Sequence, residues 1–333
     1  MITLLTRSPR KAADYIKRGE LVAFPTETVY GLGADLFNAR ALAGIFRAKG
    51  RPVDNPLIVH IATLEQISVV ARRVPPSAQK LIDTFFPGPL TIILPKREEI
   101  SSVVTAGLQT IGVRMPRDPF AQEFLHACGV PVAAPSANRS GRPSPTTWQA
   151  VKNDLDGRIS CILRGSRMTE VGLESTVVDC TGSRPVILRA GAITLEDLRR
   201  VIPSTRLISD SIDGDIHRRS PGTRHRHYAP HARVELVDNE REAIVRAEEF
   251  YGIENAAFIG MPEESDKVRT KRRSTTPKFK LRLLCNDITA YARSLFNFFR
   301  RCDEEKIRLI CCQRVATTGL GLALMDRLTR AAR

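Results

Sequence analysis

Four polar segments in the first half of the chain carry residue types that can bind an anionic substrate. The first, residues 24–33, follows a short apolar run and places Thr26, Glu27, Thr28 and Tyr30 ahead of two glycines. Ligands of open α/β sheets bind where strands end, so these hydroxyl groups and the carboxylate form a candidate ligand site. A capped turn is the alternative interpretation.

The second segment, residues 49–56, sets Lys49 and Arg51 on either side of a glycine, between a predicted helix and a predicted strand. Arginine binds phosphate through two hydrogen bonds, whereas lysine acts as a point charge. Together they are suited to clamp a polyphosphate. His60 ends the apolar strand that follows. A solvated charged loop and a structural histidine are the alternatives here.

The third and fourth segments also follow apolar strands. In residues 110–116, Arg114 ends a strand, which points its cation either into a cleft or along the surface. Residues 134–144 combine serines, an asparagine and two arginines with glycine and proline, as an anion-binding loop of exposed backbone amides requires. Residues 174–176 add two further hydroxyl groups. The combination favours a phosphate-bearing substrate and catalysis by positioning and electrostatics.

The elements between these segments alternate in type. Apolar runs predict strands at residues 21–24, 57–61, 90–94, 111–114, 130–134, 161–164, 175–179 and 185–189. Apolar residues at helical spacing predict helices at residues 39–49, 77–86, 120–128 and 146–155. This alternation predicts an α/β fold with a many-stranded mixed sheet.

The composition changes after residue 202, where histidine, arginine and glycine replace the periodic pattern. We therefore predict a first domain at residues 1–204, a linker at 205–232 and a smaller α/β domain at 233–333. Within the last domain, strands are predicted at residues 233–237, 256–259 and 307–311, and helices at 288–300 and 320–332. Residues 267–282 are rich in Lys and Arg and are predicted to form an exposed loop.

Composition limits the class of protein. Lys and Arg total 51 and Asp and Glu total 36, so the net charge of +15 favours an anionic partner, either nucleic acid or a phosphorylated small molecule. No apolar run approaches the ~20 residues that span a bilayer, and no secretion signal is evident, so we expect no membrane association. The seven scattered cysteines lack Cys-x-x-Cys spacing, which favours the reducing cytoplasm over a disulfide framework or a zinc site.

Several well-known catalytic signatures are missing from the sequence. The chain has no Gly-x-x-x-x-Gly-Lys-Ser/Thr phosphate loop, no Gly-x-Ser-x-Gly elbow and no His-Glu-x-x-His zinc helix. Gly319 and Gly321 form a lone pair before a predicted helix. Because the full dinucleotide fingerprint is absent, we interpret this pair as a closely packed turn.

Residues 24–33, 48–60, 112–116, 135–141 and 174–179 closely resemble the YrdC family. Residues 220–230 and the second domain resemble the longer, two-domain form of that family, so the resemblance covers nearly the whole chain. It implies a YrdC-like twisted, mixed open sheet with flanking helices, plus a smaller Rossmann-like α/β domain at the C-terminus. It also implies that the linker, residues 205–232, acts as a lid over the active site.

The resemblance further implies a nucleotidyltransferase that makes threonylcarbamoyl-AMP and pyrophosphate from L-threonine, bicarbonate and ATP, with Mg²⁺ on the phosphates. The product would pass to the downstream machinery that transfers the threonylcarbamoyl group to tRNA, as the first step toward threonylcarbamoyladenosine. The basic residues 267–282 match no family feature. A solvated loop is the expectation there, and a weak tRNA contact is the alternative.

Site residues follow from the same motifs. The resemblance implies a threonine pocket lined by Thr28, His60, Arg114, Ala134 and Ser175. It implies an ATP site formed by Arg51, Asn55, Thr110, Ser136, Asn138, Ser144, Arg189 and Tyr228, with Tyr228 closing over it from the linker. Lys49 and Arg51 are the expected catalytic residues, which would neutralise the leaving pyrophosphate, and no protein-bound metal is expected.

Two other functions remain open from the sequence. A non-catalytic RNA-binding protein would suit the positive charge, although the chain has only 6% aromatic residues and no recognised RNA module. An enzyme that adenylates carbamoyl phosphate would use the same fold, but it usually carries acylphosphatase or zinc-finger patterns, which are absent. Pyrophosphate release with and without threonine separates the three.

Overall fold

The structure, a computed structural model, describes residues 2–165, 168–208, 219, 229–262 and 278–333. The chain divides into two compact units, residues 1–140 with 144–225 and residues 141–143 with 226–333. Most of the predicted linker, residues 205–232, falls outside the described residues. The predicted domain boundaries at residues 204 and 233 therefore stay predictions.

The first unit is built on one mixed sheet of eleven strands. These are β1 (Leu4–Thr6), β2 (Val22–Phe24), β3 (Gly31–Asp35), β4 (Ile58–His60), β5 (Leu90–Pro95), β6 (Thr110–Arg114), β7 (Val132–Ala134), β8 (Cys161–Leu163), β9 (Thr176–Asp179), β10 (Val186–Arg189) and β11 (Arg206–Leu207). Their order is β1-β8-β2-β3-β7-β4-β6-β5-β9-β10-β11. Both parallel and antiparallel neighbours occur, as for β4 with β6 and with β7, so the predicted mixed sheet is confirmed.

Eight α-helices of the first unit are described. They are α1 (Pro9–Lys17), α2 (Ala39–Lys49), α3 (Ile67–Val70), α4 (Pro76–Phe85), α5 (Ser102–Thr105), α6 (Pro119–Cys128), α7 (Trp148–Leu155) and α8 (Leu195–Val201). Helix α2 has the predicted bounds because both of its ends are specified locally. Asn38 Oδ1 accepts from the Ala41 amide, and Gly50 ends the helix at a φ of 63°. Lys49 is thereby the last helical residue.

Strand β3 and helix α1 were not predicted from the sequence. The two glycines of β3 weaken the strand signal in the sequence, because glycine is depleted in strands. Gly33 is nevertheless required there, since a Cβ would lie 2.7 Å from Val132 Cγ1. Helix α1 carried a usable signal, an N-cap at Ser8 followed by a proline at the first helical position.

The second unit has a four-stranded parallel sheet. Its strands are β12 (Arg233–Val237), β13 (Ala256–Gly260), β14 (Leu281–Leu284) and β15 (Leu309–Gln313), in the order β12-β15-β13-β14, and its helices are α9 (Glu240–Phe250), α10 (Ile288–Glu304) and α11 (Leu320–Ala331). All strand pairs are parallel, which confirms the predicted Rossmann-like α/β class. No helix in the described ranges is long and apolar enough to cross a membrane.

The structure describes parts of two features predicted for this unit, the loop at residues 267–282 and the turn at Gly321. The predicted exposed loop at residues 267–282 is wrong at its end, because Leu281 and Arg282 belong to β14; the apolar residues 281, 283 and 284 make the strand. Residues 263–277 lie outside the described residues. A Cβ on Gly321 would clash with the Ala316 carbonyl oxygen, which agrees with a closely packed turn.

Two glycine substitutions in the first unit should have opposite effects on stability. A Cβ on Gly191 would clash with the Thr176 amide and lie 2.7 Å from the Glu174 carbonyl oxygen, whereas one on Gly44 in α2 would lie 3.4 Å from Leu21 Cδ1. We expect Gly191→Ala to lower the free energy of unfolding by about 1–3 kcal/mol. Gly44→Ala should leave it unchanged or raise it by up to about 1 kcal/mol.

Urea denaturation followed by the fluorescence of the single tryptophan, Trp148, reports on this unit. Equal unfolding midpoints for the two variants would contradict the close packing at Gly191.

Candidate active site

Arg114 is the buried cation at the centre of the first group of predicted site residues. It ends β6 beside His60 at the end of β4, because the parallel register pairs these two residues. Arg114 Nη2 lies 2.7 Å from Glu27 Oε1, and Nη1 donates to Thr28 Oγ1 at 2.7 Å. The Nε and Nη2 atoms are buried and form no hydrogen bond in the described part of the chain, so Glu27 meets Nη2 as an ion pair. The Nε edge of this buried guanidinium can therefore donate to a further acceptor.

The loop after β2 orients the Thr28 hydroxyl through a directed chain of hydrogen bonds. Thr26 Oγ1 donates to the Val29 carbonyl at 2.7 Å and lies 2.9 Å from Thr28 Oγ1. Because the Thr26 proton is used by Val29, the Thr28 hydroxyl donates to Thr26 and accepts from Arg114. Both threonines are fully or almost fully buried, so the loop fixes the acceptor that holds Arg114.

His60 is a buried and uncharged imidazole. Burial lowers its pKa to about 3, and the positive charge of Arg114 contributes to the shift. The ring also lies edge-on to Phe24, with 5.6 Å between the ring centroids. At neutral pH His60 therefore adds a neutral polar surface next to Arg114 rather than a second positive charge.

Ser175 is held from two sides. Thr91 Oγ1 lies 2.8 Å from Ser175 Oγ. Arg189 donates through Nε to the Ser175 carbonyl at 3.1 Å and through Nη2 to Ser175 Oγ at 3.2 Å. Two predicted site residues, Ser175 and Arg189, are thus in direct contact. Thr91 is fully buried. It was not predicted as a site residue because it lies within an apolar strand, β5.

Lys49 connects the end of α2 to the loop after β7. Its Nζ atom donates to the Ser136 carbonyl at 2.5 Å, to the Asn138 carbonyl, and to Asn138 Oδ1 at 3.5 Å. Ser136 Oγ donates to the same Asn138 Oδ1 at 2.5 Å. The structure therefore brings the Lys-x-Arg and Ser-x-Asn motifs together around a buried ammonium group.

Arg51 organises the loop that precedes β4. Its Nη2 atom donates to the carbonyls of Asn55 at 3.2 Å and Pro56 at 3.0 Å. The Asn55 side chain is buried. The loop thus has a defined conformation in which the Arg51 guanidinium contacts the Asn55 backbone.

Strand register separates two of the predicted site residues, Thr110 of the predicted ATP site and Arg114 of the predicted threonine pocket. Parallel pairing of β4 with β6 places Thr110, at the start of β6, beside the end of the loop that carries Asn55. Arg114 ends the same five-residue strand, about 13 Å away at the usual rise per residue. Ala134, the last residue of β7, pairs with the first residue of β4 and lies between the two groups.

Ser144 and Glu174 form a third contact. Ser144 Oγ donates to Glu174 Oε1 at 2.5 Å, and both residues are buried. Glu174 directly precedes Ser175. One short segment thus links Ser144, predicted to bind ATP, with Ser175, predicted to bind the substrate L-threonine.

No cluster of three or more His, Cys, Asp or Glu side chains that could hold a metal occurs among the described residues.

Two residues differ from those above, one because the structure does not describe it and one because the sequence analysis did not predict it. Tyr228, the predicted lid residue, lies outside the described residues. Asp154 in α7 was missed from the sequence; its Oδ2 atom accepts from the Arg139 amide at 3.2 Å and supports the loop of Ser136 and Asn138. The sequence does carry a signal, because Asp154 shares the apolar face of this amphipathic helix with Ala150 and Val151. The functional roles of all these residues stay predictions.

The pKa of His60 implies a pH-dependent stability. Between pH 6.5 and pH 3 the unfolded chain binds a proton that the folded chain does not, since the folded pKa is about 3. The contribution is fully present above pH 6.5 and is lost as the pH falls. Relative to His60→Gln, wild-type protein should lose up to about 1.4 kcal/mol per pH unit between pH 6 and pH 4. Urea denaturation followed by Trp148 fluorescence tests this, and a constant difference between the two proteins would contradict it.

Comparison with known proteins identifies relatives across the whole chain. A Sua5/YciO/YrdC family model described as "Telomere recombination" matches residues 14–191, and one described as "Threonylcarbamoyl-AMP synthase, C-terminal domain" matches residues 193–333. The threonylcarbamoyl-AMP synthase of Pyrococcus abyssi is 42% identical over 326 residues, which cover 97% of this chain and 93% of that protein. The Bacillus subtilis synthase is 40% identical over 332 residues, which cover 99% and 94%.

A solved structure agrees with these relatives. The crystal structure of P. abyssi Sua5 complexed with L-threonine has a TM-score of 0.87 to this chain at 40% identity, and the match covers 99% of this chain and 97% of that one. The predicted fold class, enzyme class and resemblance are confirmed by these findings. The chain belongs to the threonylcarbamoyl-AMP synthase family.

Proposed function

We propose that this protein condenses L-threonine, bicarbonate and ATP into threonylcarbamoyl-AMP and pyrophosphate, for the threonylcarbamoyladenosine modification of tRNA. The observation that carries the proposal is the buried Arg114 guanidinium, whose Nε hydrogen has no partner within the described residues. A carboxylate can accept from this edge. The P. abyssi relative, whose crystal structure contains L-threonine, supports the choice of amino acid.

In this mechanism the threonine end of the site holds and activates the amino acid. Arg114 binds the carboxylate, while Thr28, His60, Ala134 and Ser175 line the pocket. Transfer of the ammonium group from water into this buried pocket favours its neutral form. The amine then attacks the bicarbonate carbon, a C–N bond forms, and water leaves, which gives the N-carboxylated threonine.

The nucleotide end then completes the reaction. A carbamate oxygen attacks the α-phosphorus of ATP, the bond from that phosphorus to the bridging oxygen breaks, and pyrophosphate leaves. Lys49 and Arg51 neutralise charge on the leaving group, and fixed donors lower the barrier without a covalent enzyme intermediate. Asn55, Thr110, Ser136, Asn138, Ser144 and Arg189 contact the nucleotide in this proposal.

Mg²⁺ fits this site as a metal brought by the triphosphate. Magnesium is commonly bound through one or two carboxylates together with substrate phosphates, and Ser144 with Glu174 offers such oxygen donors at the nucleotide end. When bound, the ion would neutralise phosphate charge. Glu174 and Ser144 are the residues that would meet it.

The remaining parts of the proposal concern the surroundings of the reaction. Tyr228 and the linker close over the labile adenylate and exclude water. The product passes to the tRNA threonylcarbamoyl-transfer machinery, and the basic residues 267–282 provide at most a weak tRNA contact. All seven cysteines are buried free thiols, which supports a cytoplasmic location.

Replacing Arg114 by lysine should selectively weaken threonine use. Arg114→Lys keeps the charge that balances Glu27 but loses the forked donor geometry. We expect the KM for L-threonine to rise roughly tenfold or more, with little change in the KM for ATP. Arg117→Lys is the matched control, because this neighbouring arginine is exposed and pairs with Glu170.

The measurement is pyrophosphate release with and without threonine and bicarbonate, together with mass-spectrometric detection of the AMP-linked product. Pyrophosphate release that does not depend on threonine, or an Arg114→Lys enzyme with normal threonine KM, would rule out the proposed threonine site.

Removal of the Lys49 ammonium group should stop turnover. Lys49→Ala removes both the charge at the pyrophosphate and the link to the loop of Ser136 and Asn138. Threonine-dependent pyrophosphate release should fall at least about a hundredfold, while threonine binding measured by calorimetry persists. Lys152→Ala, at an exposed position of α7, is the control. Near-normal turnover of Lys49→Ala would eliminate the catalytic role.

A further inference from the structure

Glu27 is a buried carboxylate that the proposed reaction does not use. Its side chain is 2% exposed and lies 2.7 Å from the Arg114 guanidinium, which is 5% exposed. Its second oxygen, Oε2, accepts from the Arg117 amide at 3.3 Å. Burying two opposite charges yields little net stability, because the lost hydration offsets their attraction. The pair therefore calls for an explanation other than stability of the fold.

Both terminal nitrogens of Arg114 are fixed by contacts on the same loop. Glu27 contacts Nη2 and Thr28 accepts from Nη1. A planar guanidinium held by a hydrogen bond at Nη1 and by an ion pair at Nη2 has its orientation defined, and its buried Nε and Nη2 atoms form no hydrogen bond among the described residues. We infer that Glu27 is a positioning residue for L-threonine, which orients Arg114 so that Nε meets the substrate carboxylate. This inference rests on the proposed function.

The surroundings of Glu27 include empty space and a second acidic side chain. A cavity of about 310 Å³ lies beside Glu27 and is also lined by Arg117, Asp118 and Glu170. Burial raises the pKa of Asp118, and the charge of Glu27 adds to the shift while that of Arg114 opposes it. Without the Glu27 carboxylate, the guanidinium would keep the Thr28 hydroxyl as its fixing contact at Nη1, and its orientation would no longer be defined from both terminal nitrogens.

Two substitutions at Glu27 separate charge from shape. Glu27→Gln keeps the size of the side chain and removes its charge, whereas Glu27→Asp keeps the charge on a shorter side chain. We expect Glu27→Gln to raise the KM for L-threonine about tenfold, with the KM for ATP changed by less than about twofold. Glu27→Asp should bind threonine better than Glu27→Gln but more weakly than the wild-type protein, because its shortened carboxylate keeps the charge and loses the close contact with Nη2. Calorimetric titration with L-threonine alone gives the affinity independently of turnover.

Asp326→Asn in α11 provides the control for an ion pair with a buried arginine. Asp326 lies 2.8 Å from Arg327, whose side chain is fully buried, so its loss also removes a carboxylate partner of a buried guanidinium. It should leave the threonine KM unchanged. Parallel increases in the KM values for threonine and ATP after Glu27→Gln would indicate a merely structural role and overturn the inference.

Unchanged or tighter threonine binding by Glu27→Gln would also overturn the inference, because Glu27 would then be neutral toward the substrate or compete with it for Arg114. Should Glu27→Gln fail to fold, as judged by circular dichroism, Glu27→Asp still decides, since a normal threonine affinity at a shortened carboxylate contradicts positioning. Failure of the proposed function itself has a different signature, namely a wild-type protein that releases no pyrophosphate in response to threonine.

Discussion

The cost of burying a guanidinium is the constraint on which the threonine end of the site depends. Arg114 is removed from water, so its charge must be balanced and its donors must find acceptors. Glu27 supplies the charge and Thr28 supplies an acceptor, both from the loop between β2 and β3. In the proposed function the substrate carboxylate accepts from the Arg114 donors, at Nε and Nη2, that form no hydrogen bond among the described residues. Selectivity for a carboxylate follows from an incomplete hydrogen-bond set.

The sheet converts this local arrangement into a two-substrate site. Strands β4, β6 and β7 are short, and their register fixes which residues lie at each end. Arg114 and His60 share one end, while Thr110 and the Arg51 loop share the other. In the proposed function an amino acid at one end and a nucleotide at the other meet between them, beside Ala134. A register shift of one residue would turn these side chains to the opposite face and destroy the site.

Local signals made much of the fold predictable, whereas long-range pairs escaped prediction. The bounds of α2 followed from Asn38 and Gly50, which act on the residues next to them. Strand β3 was not predicted because it contains Gly33. A glycine is needed there to make room for the side chain of Val132, which lies far along the chain. In the site, the resemblance named Thr28 and Arg114, but their contact joins positions 86 residues apart. Neither propensity nor spacing encodes such a contact, so the acceptor of a buried donor is visible only in the fold.

Lys49 shows that a sequence motif can single out a residue without revealing its contacts. From the sequence, a lysine and an arginine around a glycine read as two free cations for phosphate. In the structure the Lys49 ammonium donates to the carbonyls of Ser136 and Asn138. An ammonium group that satisfies carbonyl oxygens keeps its full charge while losing its freedom to move. In the proposed function this ammonium group is fixed before the nucleotide arrives, so little reorganisation is needed when charge develops on the leaving group. Electrostatic stabilisation is most effective under this condition.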